Sequence, residues 1–117
     1  MMVSSLFSDK FKDEHAERVQ QQIEAAQQSI SLDTIVASQE TMIHREDGLE
    51  ALKDRTYPLY YFIGKYDLSI PREVAYAEAA QLRGSVVHES EVSAHMAHIE
   101  SPKEAGEFIQ RILRADV

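Results

Sequence analysis

The sequence contains no cysteine, which excludes disulfides, zinc–thiolate sites and cysteine nucleophiles together. Basic residues are scarce: 12 Lys and Arg stand against 20 Asp and Glu, a formal charge of −8. A nucleic-acid footprint needs a basic patch, so no nucleic-acid partner is expected, and a moderate negative charge otherwise serves solubility. Long apolar runs are missing too. The longest fall far short of the roughly 20 residues that cross a bilayer, and no membrane partner is expected. Met1-Met2-Val3-Ser4-Ser5-Leu6-Phe7 lacks the basic region and apolar core of a signal peptide, so the expected location is cytoplasmic. Nothing in the sequence asks for a cofactor.

What is present is an ordinary globular composition. The 117 residues are 44% hydrophobic and 27% charged, which fits one domain spanning 1–117. Its first part, 1–56, reads as helical. Phe7, Phe11, His15, Val19, Ile23, Ala26 and Ile30 recur in steps of three and four and fall on one stripe, with Ser8 or Asp9 to cap its start. After Ser31 or Asp33 a second helix gathers Leu32, Ile35, Val36, Gln39, Met42 and Ile43 near one face. Asp47-Gly48 interrupts the pattern, and Leu49 and Leu52 suggest one more short helix.

From 57 to 117 the pattern changes to strand–helix–strand–helix. Leu59-Tyr60-Tyr61-Phe62-Ile63 is a short apolar run between Pro58 and Gly64, the signature of a strand buried on both faces of a parallel sheet. Pro71 suits the first turn of a helix whose apolar side is Val74, Ala77, Ala80 and Leu82, with Gly84 as its stop. Ser85-Val86-Val87-His88 reads as a weaker strand, followed by a loop from Glu89 to Ser101. Ser101-Pro102-Lys103-Glu104 has the form of a capping box and opens a helix striped by Ala105, Phe108, Ile109, Ile112 and Leu113. The fold class is therefore α/β, with an incomplete parallel sheet and a helical N-terminal segment.

In open parallel sheets, functional groups collect in the loops beyond the carboxyl ends of the strands. Two loops qualify. One is Gly64 to Ser69, with Asp67; the other is Glu91 to Glu100, with His95 and His98. If the strands are neighbours, Asp67 and His95 can hydrogen-bond. A carboxylate on one ring nitrogen fixes the tautomer and leaves the other nitrogen as a base. By itself, an Asp in a strand-to-helix loop such as Asp67 reads first as a turn or capping residue.

The ordered set Gly64, Asp67, Pro71, His95, Glu100 and Pro102 resembles the C-terminal end of the α/β-hydrolase family. There an apolar strand leads to a Gly-x-x-Asp loop and a proline-started helix. A strand, a Gly-His pair, a nearby Glu, a Pro and a closing amphipathic helix follow. The resemblance implies that Asp67 and His95 are the catalytic acid and base of a serine hydrolase acting on an ester, lactone or related carbonyl substrate. It also implies that 1–56 is cap-like, and that Met42 and Met96 border a pocket. The sequence departs from the family at Ala94, where glycine is usual. It departs further in having no Gly-x-Ser-x-Gly, the elbow that presents the nucleophile. Ser69 and Ser93 lie near the pair without elbow context. The isolated chain is expected to be inactive.

Other readings stay open. The chain is alternatively a non-catalytic remnant or split half, a homo-oligomer or the partner of a complementing chain, because two strands make a poor sheet and leave an apolar edge open. His95, His98 and Glu100 are a possible metal set, although their segment precedes a helix start. His98 is expected to pack on the last helix. His15 and His44 read as structural, and His88 shows no evident partner. Tyr57, Tyr60, Tyr61 and Tyr66 read as strand packing.

Overall fold

The computed structural model describes residues 4–115. Met1–Val3, part of the stretch compared with a signal peptide, lie outside the described residues. After a 3-10 turn at Ser4–Leu6 come four helices: α1 (Asp9–Glu14), α2 (Ala16–Ser29), α3 (Leu32–His44) and α4 (Leu49–Lys53). Then follow β1 (Tyr60–Gly64), α5 (Arg72–Ala80), β2 (Val86–Ser90), α6 (Ala97–Glu100) and α7 (Pro102–Ala115).

Ser8 caps α1, its hydroxyl accepting the Phe11 N–H at 3.2 Å, which satisfies one of the free donors of a helix start. The single stripe expected from Phe7 to Ile30 is broken at His15, whose φ of −133° and ψ of 43° lie outside the helical range. The break lets Phe7 and Phe11 fold against Val19, with Leu6, Ile23, Met96 and Ile99 packed around them. The two phenyl rings stack at 5.3 Å, and the His15 ring lies 4.6 Å from that of Phe11. Ile30, at the far end of the stripe, is exposed.

Ser31 caps α3, as its position suggests. The apolar face expected there buries nothing: Leu32, Ile35, Val36, Met42 and Ile43 are all exposed.

β1 and β2 pair in parallel, Tyr60 opposite Val86 through Gly64 opposite Ser90. The Val86 N–H donates to the Leu59 carbonyl at 2.9 Å, and the Lys65 N–H donates to the Ser90 carbonyl at 3.0 Å. Odd-numbered positions of β1 thus serve β2. By the alternation of a strand, the backbones of Tyr60 and Phe62 face the other edge, where no third strand pairs among the described residues.

Two helical faces differ from expectation. α5 buries Ala75, Ala79 and the following Leu82 (1% exposed), whereas Val74 is 57% exposed. Pro71 is the residue before the helix rather than its first turn, and a narrow alanine face lets α5 lie close on the sheet. Gly84 does not stop α5. Gln81 does so, and Gly84, at φ +78°, makes the left-handed turn into β2. Among the residues of α7 whose burial is described, only Phe108 is buried, packing edge-on against Phe62 at 5.4 Å and Tyr60 at 6.5 Å. Ile109 and Leu113 of the same stripe are exposed. Tyr60 and Tyr61 join the sheet packing as expected, but Tyr57 and Tyr66 are exposed.

Candidate active site

The two loops beyond the strands are fastened to each other by backbone. Beyond the Lys65–Ser90 bond, the Tyr66 N–H donates to the Ser93 carbonyl at 3.0 Å, and the Asp67 N–H donates to the Gly64 carbonyl at 3.1 Å. The Ala94 carbonyl passes directly over Gly64. A Cβ at that position would collide with it and would stand 2.8 Å from the Ser93 oxygen. Glycine is needed there for space rather than for an unusual φ.

Asp67 fills both of the roles its position allows. Its Oδ1 accepts the N–H groups of Ser69 (2.9 Å) and Ile70 (3.0 Å), which is the turn-forming role. Its Oδ2 lies 3.0 Å from Nδ1 of His95. The Asp67 side chain is 11% exposed and that of His95 35%, so the carboxylate is sheltered while the ring reaches solvent. A carboxylate only accepts, so Nδ1–H of neutral His95 donates to it and Nε2 keeps its lone pair.

The backbone carrying His95 is equally constrained. The Ala94 N–H donates to Oε2 of Glu100 at 2.9 Å. The His95 and Met96 N–H groups donate to the Leu6 carbonyl at 2.9 and 3.3 Å. The other oxygen of Glu100, Oε1, accepts the Ser8 N–H at 2.8 Å.

A cavity of about 230 Å³ opens beside the pair, lined by Tyr61, Phe62, Gly64, Glu78, Ala94 and His95 among others. The Tyr61 hydroxyl donates to Glu78 at 3.4 Å. Burial, and then the adjacent Glu78 carboxylate, push the Tyr61 phenol above its usual range. A larger cavity of about 650 Å³ shares Asp67 and is bordered by Phe7, Lys65, Tyr66, Arg72 and Val92. Met42 and Met96 line neither. Met96 is drawn into the Phe7–Phe11–Val19 cluster, and Met42 lies exposed on α3.

The remaining histidines sort clearly. His98 is exposed on the single turn α6, and among the described residues no set of three acidic or histidine side chains converges as a metal would require. His44 is exposed at the end of α3. His88 does have partners, contrary to the sequence reading. Its Nε2 lies 2.7 Å from Oε2 of Glu104, and Arg111 donates to its Nδ1 at 3.3 Å. Guanidinium has no acceptor, so Nδ1 accepts and Nε2–H donates to Glu104.

Glu104 itself was expected to close a capping box on Ser101. Its carboxylate turns to β2 instead, with Oε1 accepting the Ser90 hydroxyl at 2.7 Å. Ser90 Oγ lies 3.0 Å from Ser93 Oγ, which lies 2.7 Å from Ser101 Oγ. Ser90 and Ser93 are fully buried. Ser93 is thereby occupied as a structural hydroxyl beneath the His95 loop. The signal was present in the sequence: His88 and Ser90 are two apart on a strand and share a face, and that face meets the first turn of α7.

The structure resembles an esterase from Exiguobacterium antarcticum, with a TM-score of 0.74 and 20% sequence identity over 97% of this chain. The chain has a partial hydrolase-like fold. It spans 41% of that esterase's length. No protein-family model matches the chain, and no curated protein matches it.

Proposed function

We propose that this chain is the C-terminal portion of an α/β-hydrolase-type serine hydrolase for an ester, lactone or related carbonyl substrate, with Asp67 as the acid and His95 as the base. The observation that carries the reading is the 3.0 Å contact between Asp67 Oδ2 and His95 Nδ1, made in a fold shared with part of an esterase. In the complete site, His95 Nε2 takes the proton of a serine hydroxyl as its oxygen attacks the carbonyl carbon. It then returns the proton to the leaving alkoxide. Asp67 keeps the ring in the tautomer that this requires. The nucleophile and the backbone donors for the oxyanion belong to the remainder of the fold.

Alone, the chain is inactive in this reading. No serine stands in an elbow, Ser93 is buried in a hydroxyl chain, and the exposed Ser69 sits in the Asp67 turn. Incubation with a fluorophosphonate probe, followed by intact mass measurement, should give no adduct. A stoichiometric serine adduct on the purified chain would contradict the assignment of the nucleophile to another part of the fold.

A second reading, self-association or pairing with a complementing chain, is favoured by the open edge of β1. Light scattering over a range of concentrations distinguishes a chain that associates from one that stays single.

A further inference from the structure

We propose that Glu100 is a positioning residue for His95, acting through the backbone on either side of it. The inference rests on the assignment of His95 as the base and concerns how that base is held.

Three consecutive N–H groups, of Ala94, His95 and Met96, carry the imidazole. The first is taken by Glu100 and the other two by the Leu6 carbonyl. The Leu6 carbonyl is in turn fixed because Ser8, two residues on, donates its own N–H to the second oxygen of Glu100. One carboxylate therefore bridges segments 92 residues apart in sequence and closes a ring of bonds: Glu100 to Ala94, His95 to Leu6, Ser8 back to Glu100. Phe7, 2% exposed, is locked between the two anchored residues. On the other side, the Ala94 carbonyl is pressed against Gly64, so Ala94 has little freedom to shift.

The bridge needs a carboxylate. Both partners are donors, and an ionised carboxylate offers an acceptor on each oxygen. Glutamine offers one acceptor, and its amide would face the other N–H donor to donor. Hydrogen bonds from backbone N–H to a charged acceptor are also the stronger kind. Releasing Ala94 would leave the Leu6 carbonyl as the one acceptor for these three N–H groups and would loosen the hold of the main chain on the ring that meets Asp67. Glu100 touches no reacting atom in this account; its influence reaches the imidazole only through the main chain.

The test uses the whole chain labelled with nitrogen-15 in histidine, in mildly alkaline solution. In the wild type, long-range proton–nitrogen spectra should show His95 as a single tautomer protonated at Nδ1. In Glu100→Gln the two ring nitrogens should move toward a common averaged shift, while the ring-shifted methyl signals of Val19 stay in place and report an intact core. Retention of the wild-type His95 pattern in a folded Glu100→Gln chain would overturn the proposal.

If the variant loses the Val19 signals, amide exchange in the wild type decides. Ser8, Ala94 and His95 should then exchange as one group, at least tenfold more slowly than Leu68, which is 76% exposed. An Ala94 amide exchanging as fast as that of Leu68 overturns the proposal as well. Neither measurement involves turnover, so failure of the hydrolase assignment, read by the probe, remains separate from failure of this one.

Discussion

At the scale of single residues, the site depends on close approach. Gly64 and Gly106 make a controlled pair. A Cβ on Gly64 meets the Ala94 carbonyl, whereas a Cβ on Gly106, inside α7, meets nothing within 4 Å. Overpacking a fitted site costs about 1–3 kcal/mol, and replacing a mid-helix glycine by alanine stabilises by roughly 0.5–1 kcal/mol. Gly64→Ala should therefore lower the urea midpoint and displace the His95 loop, while Gly106→Ala should raise it. Equal midpoints for Gly64→Ala and the wild type would show that the loop gives way freely and that the contact does not constrain the site. The two loops that bring Asp67 and His95 together were legible because strand ends follow from hydropathy, whereas the choice of these two residues within the loops came from the family resemblance. The partners of His88 and the bridge at Glu100 were not legible, because both join residues whose proximity is set by packing rather than by spacing. Ser101 and Glu104 satisfy a local capping rule equally well, and only the tertiary position of β2 diverts Glu104 to Ser90 and His88.

At the scale of elements, β1, the start of β2 and the longer helices were recognisable from periodicity, but Glu89 and Ser90 of β2 and the single turn α6 fell in a stretch expected as loop, and the face each helix buries was not always legible. On α5 the larger apolar residue, Val74, suggests the wrong side. The sheet selects Ala75 and Ala79, because small residues permit the approach that places the loop carrying Asp67 against that carrying His95. Val74→Ala should change stability by no more than about 0.5 kcal/mol, as exposed positions do. Ala79→Leu should cost about 1–3 kcal/mol through overpacking. Thermal or urea unfolding of the two variants checks the orientation, and the reverse ranking would mean that α5 is turned by a quarter or more. α5 is also tied to β2 at its exposed side, where Arg72 and Tyr76 both reach Glu89 at 2.9 and 2.8 Å. The Tyr76 hydroxyl bond, with Arg72 assisting, holds the Glu89 carboxyl below its usual range. The apolar stripes on α3 and α7 raise the opposite problem. Their periodicity was read correctly, yet Leu32, Ile43, Ile109 and Leu113 lie in the open. A periodic stripe shows that a helix has a face to bury without showing that the covering surface is in the same stretch of chain.

At the scale of the whole molecule, those exposed faces add up. A monomeric protein of 13.3 kDa is expected to expose about 6,400 Å², and a compact chain of this length to have a radius of gyration of about 13 Å. The observed values are 8605 Å² and 16.3 Å. The surplus of roughly 2,000 Å² exceeds the approximately 800 Å² that each partner gives to a standard interface. The sheet edge at Tyr60 and Phe62 is also unpaired among the described residues. The exposed apolar side chains within that surplus, Leu32, Ile43, Ile109 and Leu113 among them, give a drive to cover it, while the charge of −8 keeps identical copies apart when salt is low. The two effects predict a specific dependence. By light scattering, the isolated chain should gain mass as concentration rises, and gain it more readily at high salt, where repulsion is screened and apolar contact is not. Its melting temperature should rise with concentration in parallel, by mass action. A strict monomer at every concentration and salt level, with a constant melting temperature, would mean that the described residues tolerate the open edge as it stands. Association that disappeared at high salt would instead place the contact between charged surfaces and away from β1, α3 and α7.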